Sequence, residues 1–199
     1  IMTGAPLQLL AFKEGDYWVE LTVIMDCPKT NVTSTLHICW GAQAALFYHF
    51  GIGKYELPEK CSGVFLHEVH DRSEKLLRGF DDIYFAPHSR HTDVYTEQLL
   101  NHPEVKLLSS SEEAGPFIMS ANSGRQIMVT GHLEYEAATL AEEFTRDRTR
   151  GLQVPVPKHY FPNDDPGRRP HNKWRSHAHL MFSNWLNYYV YQETPYEWD

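Results

Sequence analysis

The sequence predicts an α/β domain, a layered sheet flanked by helices, and three observations predict it. Short runs rich in β-branched residues alternate along the chain with runs of helical spacing. The chain has 199 residues with 42% hydrophobic and 13% aromatic content, enough for one domain with a substantial core. The stretch "HICWGAQAAL" (37–46) reads as a strand that passes straight into a helix at a cysteine.

The elements follow in order. "IMTGAP" reads as the last stub of a strand ending in a turn, so an N-terminal part is expected outside this chain. Residues 14–26 place Trp18, Leu21 and Met25 at helical spacing behind Asp16 as a cap. "VTSTLHIC" (32–39) is a strand by its β-branched content, and "GAQAALFYHF" (41–50) is a helix by its alanines. Residues 61–69 and 76–86 read as short strands and turns, 92–102 as a helix, and "VKLLSSS" as extended. "PFIMSA" and "GRQIMVTG" form a hairpin-like pair around "NSG". Residues 136–150 make the clearest helix, basic in its last turn and ending at Gly151. Residues 154–170 are a Pro-rich surface excursion, and a final apolar helix over 177–191 carries Leu180, Phe182, Trp185, Leu186 and Tyr189. Aromatic residues of that tail are expected to pack on the sheet or on a second subunit.

Composition excludes several classes. A net charge of -8 gives no electrostatic reason to expect nucleic acid or an anionic membrane as partner. No apolar run approaches the roughly 20 residues that span a bilayer, and no signal peptide opens the chain. Twelve histidines are scattered rather than set at metal-ligand spacing, so no metal is expected. Three cysteines, Cys27, Cys39 and Cys61, make a poor disulfide framework and a poor zinc site, and reduced thiols in a cytoplasmic protein are the simplest account. Cys27 and Cys61 read as packing residues.

Two pieces carry chemistry. Cys39 alone reads either as core packing or as a nucleophile held at a helix N-terminus, where the helix dipole and unpaired N–H groups stabilise a thiolate. Small residues Gly41 and Ala42 permit a sharp turn there, and the Trp40 N–H would face an oxyanion formed on a carbonyl attacked by Cys39. In "VTGHLEYE" (129–136), His132 and Glu134 stand two apart after a strand, so a carboxylate can orient an imidazole if the backbone stays extended. Alone, that stretch also reads as a surface loop with a helix-capping glutamate. Both pieces sit at strand ends before helices, and together they favour a Cys39–His132–Glu134 centre. The turn "TGAPLQ" (3–8) can lend a second N–H to the oxyanion hole, although by itself it is an ordinary turn.

With those motifs placed, the chain resembles the homoserine O-acyltransferase family, whose members transfer succinyl or acetyl groups. The resemblance runs through "MTGAP", "STLHICWGAQAAL", "RGFDDIYFAPHSRH", "VTGHLEYEAATLAEEFTRD", "YFPNDDP" and "WRSHAHLMFSNWLNYYVYQETPY". The last of these is the most specific, since glutamine amidotransferases share a Cys and a His-x-Glu but not this tail. The resemblance implies a class I glutamine-amidotransferase-like (flavodoxin-like) fold, and a single acyltransferase domain over 1–199 forming the C-terminal major part of the family's chain. It makes Cys39 the nucleophile that carries an acyl thioester, His132 the proton acceptor and Glu134 its partner. Lys60, Ser89 and Arg146 match substrate-binding positions, and Leu7, Gln8 and Trp40 surround the oxyanion. Gln8 holds the position where the family has glycine for succinyl and glutamate for acetyl. Its glutamate-like shape favours acetyl, while its lack of charge leaves succinyl open.

The implied substrates are acetyl-CoA or succinyl-CoA as donor and L-homoserine as acceptor in methionine biosynthesis, with L-serine, for cysteine biosynthesis, as the alternative acceptor. No permanently bound cofactor and no nucleic-acid or membrane partner is expected. A cytoplasmic homodimer is. A glutamine amidotransferase sharing the same three residues is the rival reading.

Overall fold

In the computed structural model, residues 1–4, 11–14 and 17–196 are described. The junction around Cys39 is as the sequence predicts. Strand β1 (Thr35–Ile38) has Leu36, His37 and Ile38 buried, and helix α3 (Trp40–Phe50) follows directly. Ala42, Ala44 and Ala45 let α3 lie close on the sheet with no exposed surface. The helix stops at Gly51, whose φ of 68° returns its N–H to the Leu46 and Phe47 carbonyls.

Strand β1 stands at one end of a six-stranded sheet in the order β1–β6–β5–β4–β2–β3. Its members are β2 (Lys54–Val69), β3 (Ile83–Val94), β4 (Val105–Ser111), β5 (Gly115–Ala121) and β6 (Gln126–Val129). Among these strands β1 and β6 pair in parallel and the other neighbours are antiparallel. The opening stub joins as expected. Met2 bridges His37 in parallel, donating to Leu36 O and accepting from Ile38 N–H, each at 2.8 Å.

Alternation along the strands divides the core into two layers. Leu36, Ile38, Ile127 and Val129 face one layer with Phe117, Trp174 and Trp185. Met119 and Met128 face the other with Ala42, Ala45 and Leu46 of α3. Helix α1 (Trp18–Asp26) covers the later part of the expected stretch 14–26, whose Glu14 belongs to a separate 3-10 turn, and buries Trp18 and Met25. Its cap residue is Tyr17, without a side-chain bond, and Asp16 lies outside the described residues.

Several expectations need correction. The short strands expected over 61–69 and 76–86 are the ends of a long β2–β3 ladder, while Lys75–Leu77 form a 3-10 turn. Residues 92–102 are not one helix, since Thr92–Val94 finish β3 and α4 spans only Thr96–Leu100. Pairing overrides local propensity there: the Gln43 side chain donates to Thr92 O at 2.9 Å and accepts from the Thr92 hydroxyl at 2.7 Å. The excursion over 154–170 is not all surface, since Lys158 bonds Ser62 and Val64 of β2 and buries Tyr160 and Phe161 behind it. Cys27 is exposed rather than packed.

The remaining helices are α2 (Pro28–Asn31), α5 (Thr139–Thr149) and α6 (Arg175–Asn184). The expected helix over 136–150 thus begins at Thr139, and α6 continues as wider π turns over Trp185–Tyr191. Trp174, Trp185 and Tyr189 pack into the sheet's core, as the first of the two expectations for the aromatic tail had it. Leu186 is exposed.

Candidate active site

Cys39 sits between β1 and α3 with φ 54° and ψ −119°, a conformation that a side chain rarely adopts. Both neighbouring elements hold it there. Its N–H donates to Val129 O at 2.7 Å, and its carbonyl accepts from Ala42 and Gln43 of the first helical turn. Gly41 is required, because a Cβ would stand 2.9 Å from the carbonyl oxygens of Met2 and Thr3. Gly4 passes beside the thiol, its Cβ position 3.8 Å from both Cys39 Sγ and Trp40 N. The first N–H groups of a helix have no acceptor within it, so those of Trp40 and Gly41 are available beside the sulfur. Leu7 and Gln8 lie outside the described residues.

His132 follows β6. Thr130 N–H bonds Phe117 O, and His132 N–H bonds Pro87 O at 2.8 Å. Between them Gly131 has no room for a side chain, its Cβ position falling 2.7 Å from Pro87 O and 2.9 Å from His88 Cε1. The close approach sets the imidazole beside the cysteine. His132 Nδ1 lies 2.6 Å from Glu134 Oε1, so Nδ1–H donates to the carboxylate and Nε2 is left for Cys39, with which the ring also hydrogen-bonds. Burial works to lower the His132 pKa. The bonds and charges of Cys39 and Glu134 outweigh it and raise the pKa to about 10.

Lys60, Ser89 and Arg146 also converge. Ser89 donates to Glu143 Oε2 at 2.5 Å, Lys60 Nζ lies 3.7 Å from the same oxygen and 3.1 Å from Asp147 Oδ2, and Arg146 holds Asp147 Oδ1 through Nε at 2.9 Å. Burial works to raise the Asp147 carboxyl, and the bonds from Arg146 and Lys60 overcome it and lower its pKa. Lys60 reaches the cluster because the β2–β3 ladder is irregular: Leu57, Pro58, Glu59 and Lys60 stand against His91 alone. Pro58 has no N–H to give to a ladder.

Sequence reasoning missed three residues here, Glu143, Asp147 and Tyr135. Glu143 and Asp147 are four apart on α5 and so share a face of the helix. That spacing was the available signal. Tyr135 lies against the His132 ring, centroids 4.1 Å apart, and donates to Glu143 Oε1 at 2.7 Å. It joins the two clusters into one site.

The other thiols stand apart. Cys27 is exposed, with its sulfur 3.7 Å from the Asn31 amide. Cys61 is half-buried, and burial pushes its thiol up, away from thiolate chemistry. Among the described residues no group of three His, Cys, Asp or Glu side chains is placed to hold a metal, and no helix is long and apolar enough to cross a membrane.

Comparison with known proteins places the chain. A family model described as homoserine O-succinyltransferase matches residues 1–196. A homoserine O-acetyltransferase of Lysinibacillus sphaericus is 59% identical over all 199 residues, which span 64% of that protein. One of Geobacillus kaustophilus is 61% identical, with this chain spanning 66% of it. The chain therefore covers a little under two thirds of the relatives it matches. Among solved structures, a glutamine amidotransferase of Thermotoga maritima superposes with a TM-score of 0.61 at 16% identity over 89% of this chain and 73% of its own. One from Methylobacillus flagellatus gives 0.64 at 12% over 96% and 76%. These two likenesses bear out the expected glutamine-amidotransferase-like fold.

Proposed function

Because the chain belongs to the homoserine O-succinyltransferase family, we propose that it is the acyl-transferring part of an acyl-CoA-dependent homoserine O-acyltransferase, with Cys39 as nucleophile, His132 as proton acceptor and Glu134 as its partner. One observation carries the reading: a cysteine at positive φ before a helix, hydrogen-bonded to a histidine whose Nδ1 is held by a carboxylate.

The cycle has two halves. Cys39 thiolate attacks the thioester carbonyl of acyl-CoA, the carbon–sulfur bond to coenzyme A breaks, and the leaving thiolate takes the proton of the His132 imidazolium. The oxyanion of the tetrahedral intermediate faces the α3 N-terminus at Trp40. Acylation removes the charge on Cys39, and with it one of the groups that raise the His132 pKa. His132 is now a free base. It takes the proton from the acceptor hydroxyl as that oxygen attacks the acyl-enzyme, and the collapse of the intermediate releases the ester and restores the thiolate–imidazolium pair.

Lys60, Ser89 and Arg146 surround the acceptor. Two cations and the carboxylates of Glu143 and Asp147 form a balanced set, suited to an amino-acid zwitterion, with Arg146 able to engage both carboxylate oxygens. The names of the relatives support homoserine as acceptor and acetyl as donor. The same reading assigns the enzyme to methionine biosynthesis in the cytoplasm, as a homodimer.

Intact mass tests the reading. The protein and its Cys39→Ser variant are incubated with acetyl-CoA and succinyl-CoA separately, and homoserine or serine is then added. An adduct of one acetyl group that needs Cys39 and is discharged by homoserine is the expected result. A folded protein that takes no adduct from either donor removes the acyl-enzyme reading.

A further inference from the structure

The row Cys39–His132–Glu134 uses both nitrogens of the imidazole, but the ring has a third contact. Tyr135 stacks on its face at 4.1 Å with planes 19° apart. Tyr135 is itself fixed on three sides. Its N–H bonds His132 O, its carbonyl accepts the Trp174 indole N–H at 2.9 Å, and its hydroxyl donates to Glu143 Oε1 at 2.7 Å. Glu143 Oε2 in turn accepts from Ser89 and lies 3.7 Å from Lys60. A continuous set of contacts therefore runs from the His132 ring face to the cluster expected to bind the acceptor.

We propose that Tyr135 is a positioning residue for the second half of the reaction: its ring keeps His132 in plane once Cys39 is acylated, and its bond to Glu143 ties that plane to the acceptor pocket. The proposal rests on the acyl-thioester reading above. In the free protein the imidazole is held at both nitrogens, which fixes its plane without help. Acylation turns the sulfur into a neutral thioester and releases one of those holds. A ring bonded at a single nitrogen can swing about that bond, and the face of Tyr135 is what opposes the swing. Discharge of the acyl group therefore depends on Tyr135 more than loading does, because transfer rates fall steeply with small errors in base placement. Packing alone predicts no such asymmetry.

Two variants separate the elements of the proposal. Tyr135→Phe keeps the stacked ring and loses the Glu143 bond, while Tyr135→Leu loses both. Loading of Cys39 by acetyl-CoA without acceptor, then discharge by saturating homoserine, are each followed as single turnovers by intact mass. Discharge should slow roughly 3–10-fold in Tyr135→Phe and more than about 10-fold in Tyr135→Leu, with loading slowed by a smaller factor in both. The pH profile of discharge should also move in Tyr135→Leu. Equal factors on the two halves, or unchanged discharge in Tyr135→Leu, overturn the proposal while leaving the acyl-enzyme intact. Wild-type protein that takes no acyl group on Cys39 overturns the functional reading itself, and the proposal with it.

Discussion

Cys39 holds a backbone conformation that costs on the order of 1–3 kcal/mol and persists because β1, β6 and the first turn of α3 over-determine it. Gly131 plays the matching part for His132. A methyl group there meets Pro87 O, Phe117 and His88 within 3 Å, and the collision is with backbone and buried rings that cannot yield. Gly131→Ala should therefore destabilise the fold by about 1–3 kcal/mol and displace the histidine. Thermal melting and Cys39 loading read the two effects, and a variant with wild-type melting and loading contradicts the assignment. The thiols give a second test at this scale. Iodoacetamide labelling of exposed Cys27 should cost no loading, Cys61 should lag because burial holds its thiol protonated, and inactivation should track Cys39 alone. Peptide mapping during inactivation checks the order.

The element that most shapes the site is α5. Its first turn is tied to the segment after it, since the Tyr160 hydroxyl accepts from Ala141 N–H at 3.2 Å and donates to Ala137 O. No side chain caps α5 at Ala138, so Tyr160 supplies from another element what a capping residue supplies locally. Tyr160→Phe keeps the packed ring and removes both bonds. A loss of about 1 kcal/mol in denaturant stability is expected, and the Lys60–Asp147 and Ser89–Glu143 contacts on the same helix should loosen with it, raising the KM for the acceptor. An unchanged unfolding midpoint would place the helix start under other control. The β2–β3 ladder is the second such element, because its irregularity opposite His91 delivers Lys60 to α5.

At the scale of the molecule, buried histidines set the pH range. Burial lowers His37 and His67 to about 3, and places His88 well below its ordinary value. Each binds its proton more readily when the chain is unfolded, so each contributes stability above pH 6.5 that is lost as pH falls toward the folded pKa. His132 has the opposite sign. Its raised pKa contributes stability below pH 6.5 that is lost as pH rises toward about 10. Stability should fall steeply below about pH 5 and weaken again in alkali, which urea titrations from pH 4 to 10 will check. His37→Phe should flatten the acid limb, and an unaltered limb would refute its share.

The α/β class, the strand–Cys–helix junction, the hairpin after β4 and the pairing of His132 with Glu134 were all legible in the sequence. Each depends on residues close together along the chain: β-branched runs, alanine spacing, and two side chains separated by one residue. Lys60, Ser89 and Arg146 were legible only through resemblance, and Glu143, Asp147 and Tyr135 were not singled out. Their meaning lies in contacts between distant stretches. Ser89 and Glu143 are 54 residues apart and Lys60 and Asp147 are 87 apart. Local propensity says nothing of such pairs, because the free energy that makes them comes from closing the sheet and docking α5 upon it. The sequence alone determined the α/β class, the strand–Cys39–helix junction and the nearness of His132 to Glu134, through short-range sterics and periodicity. Only the tertiary structure decided that an irregular ladder and one face of α5 bring a cluster of charged side chains against the ring of His132.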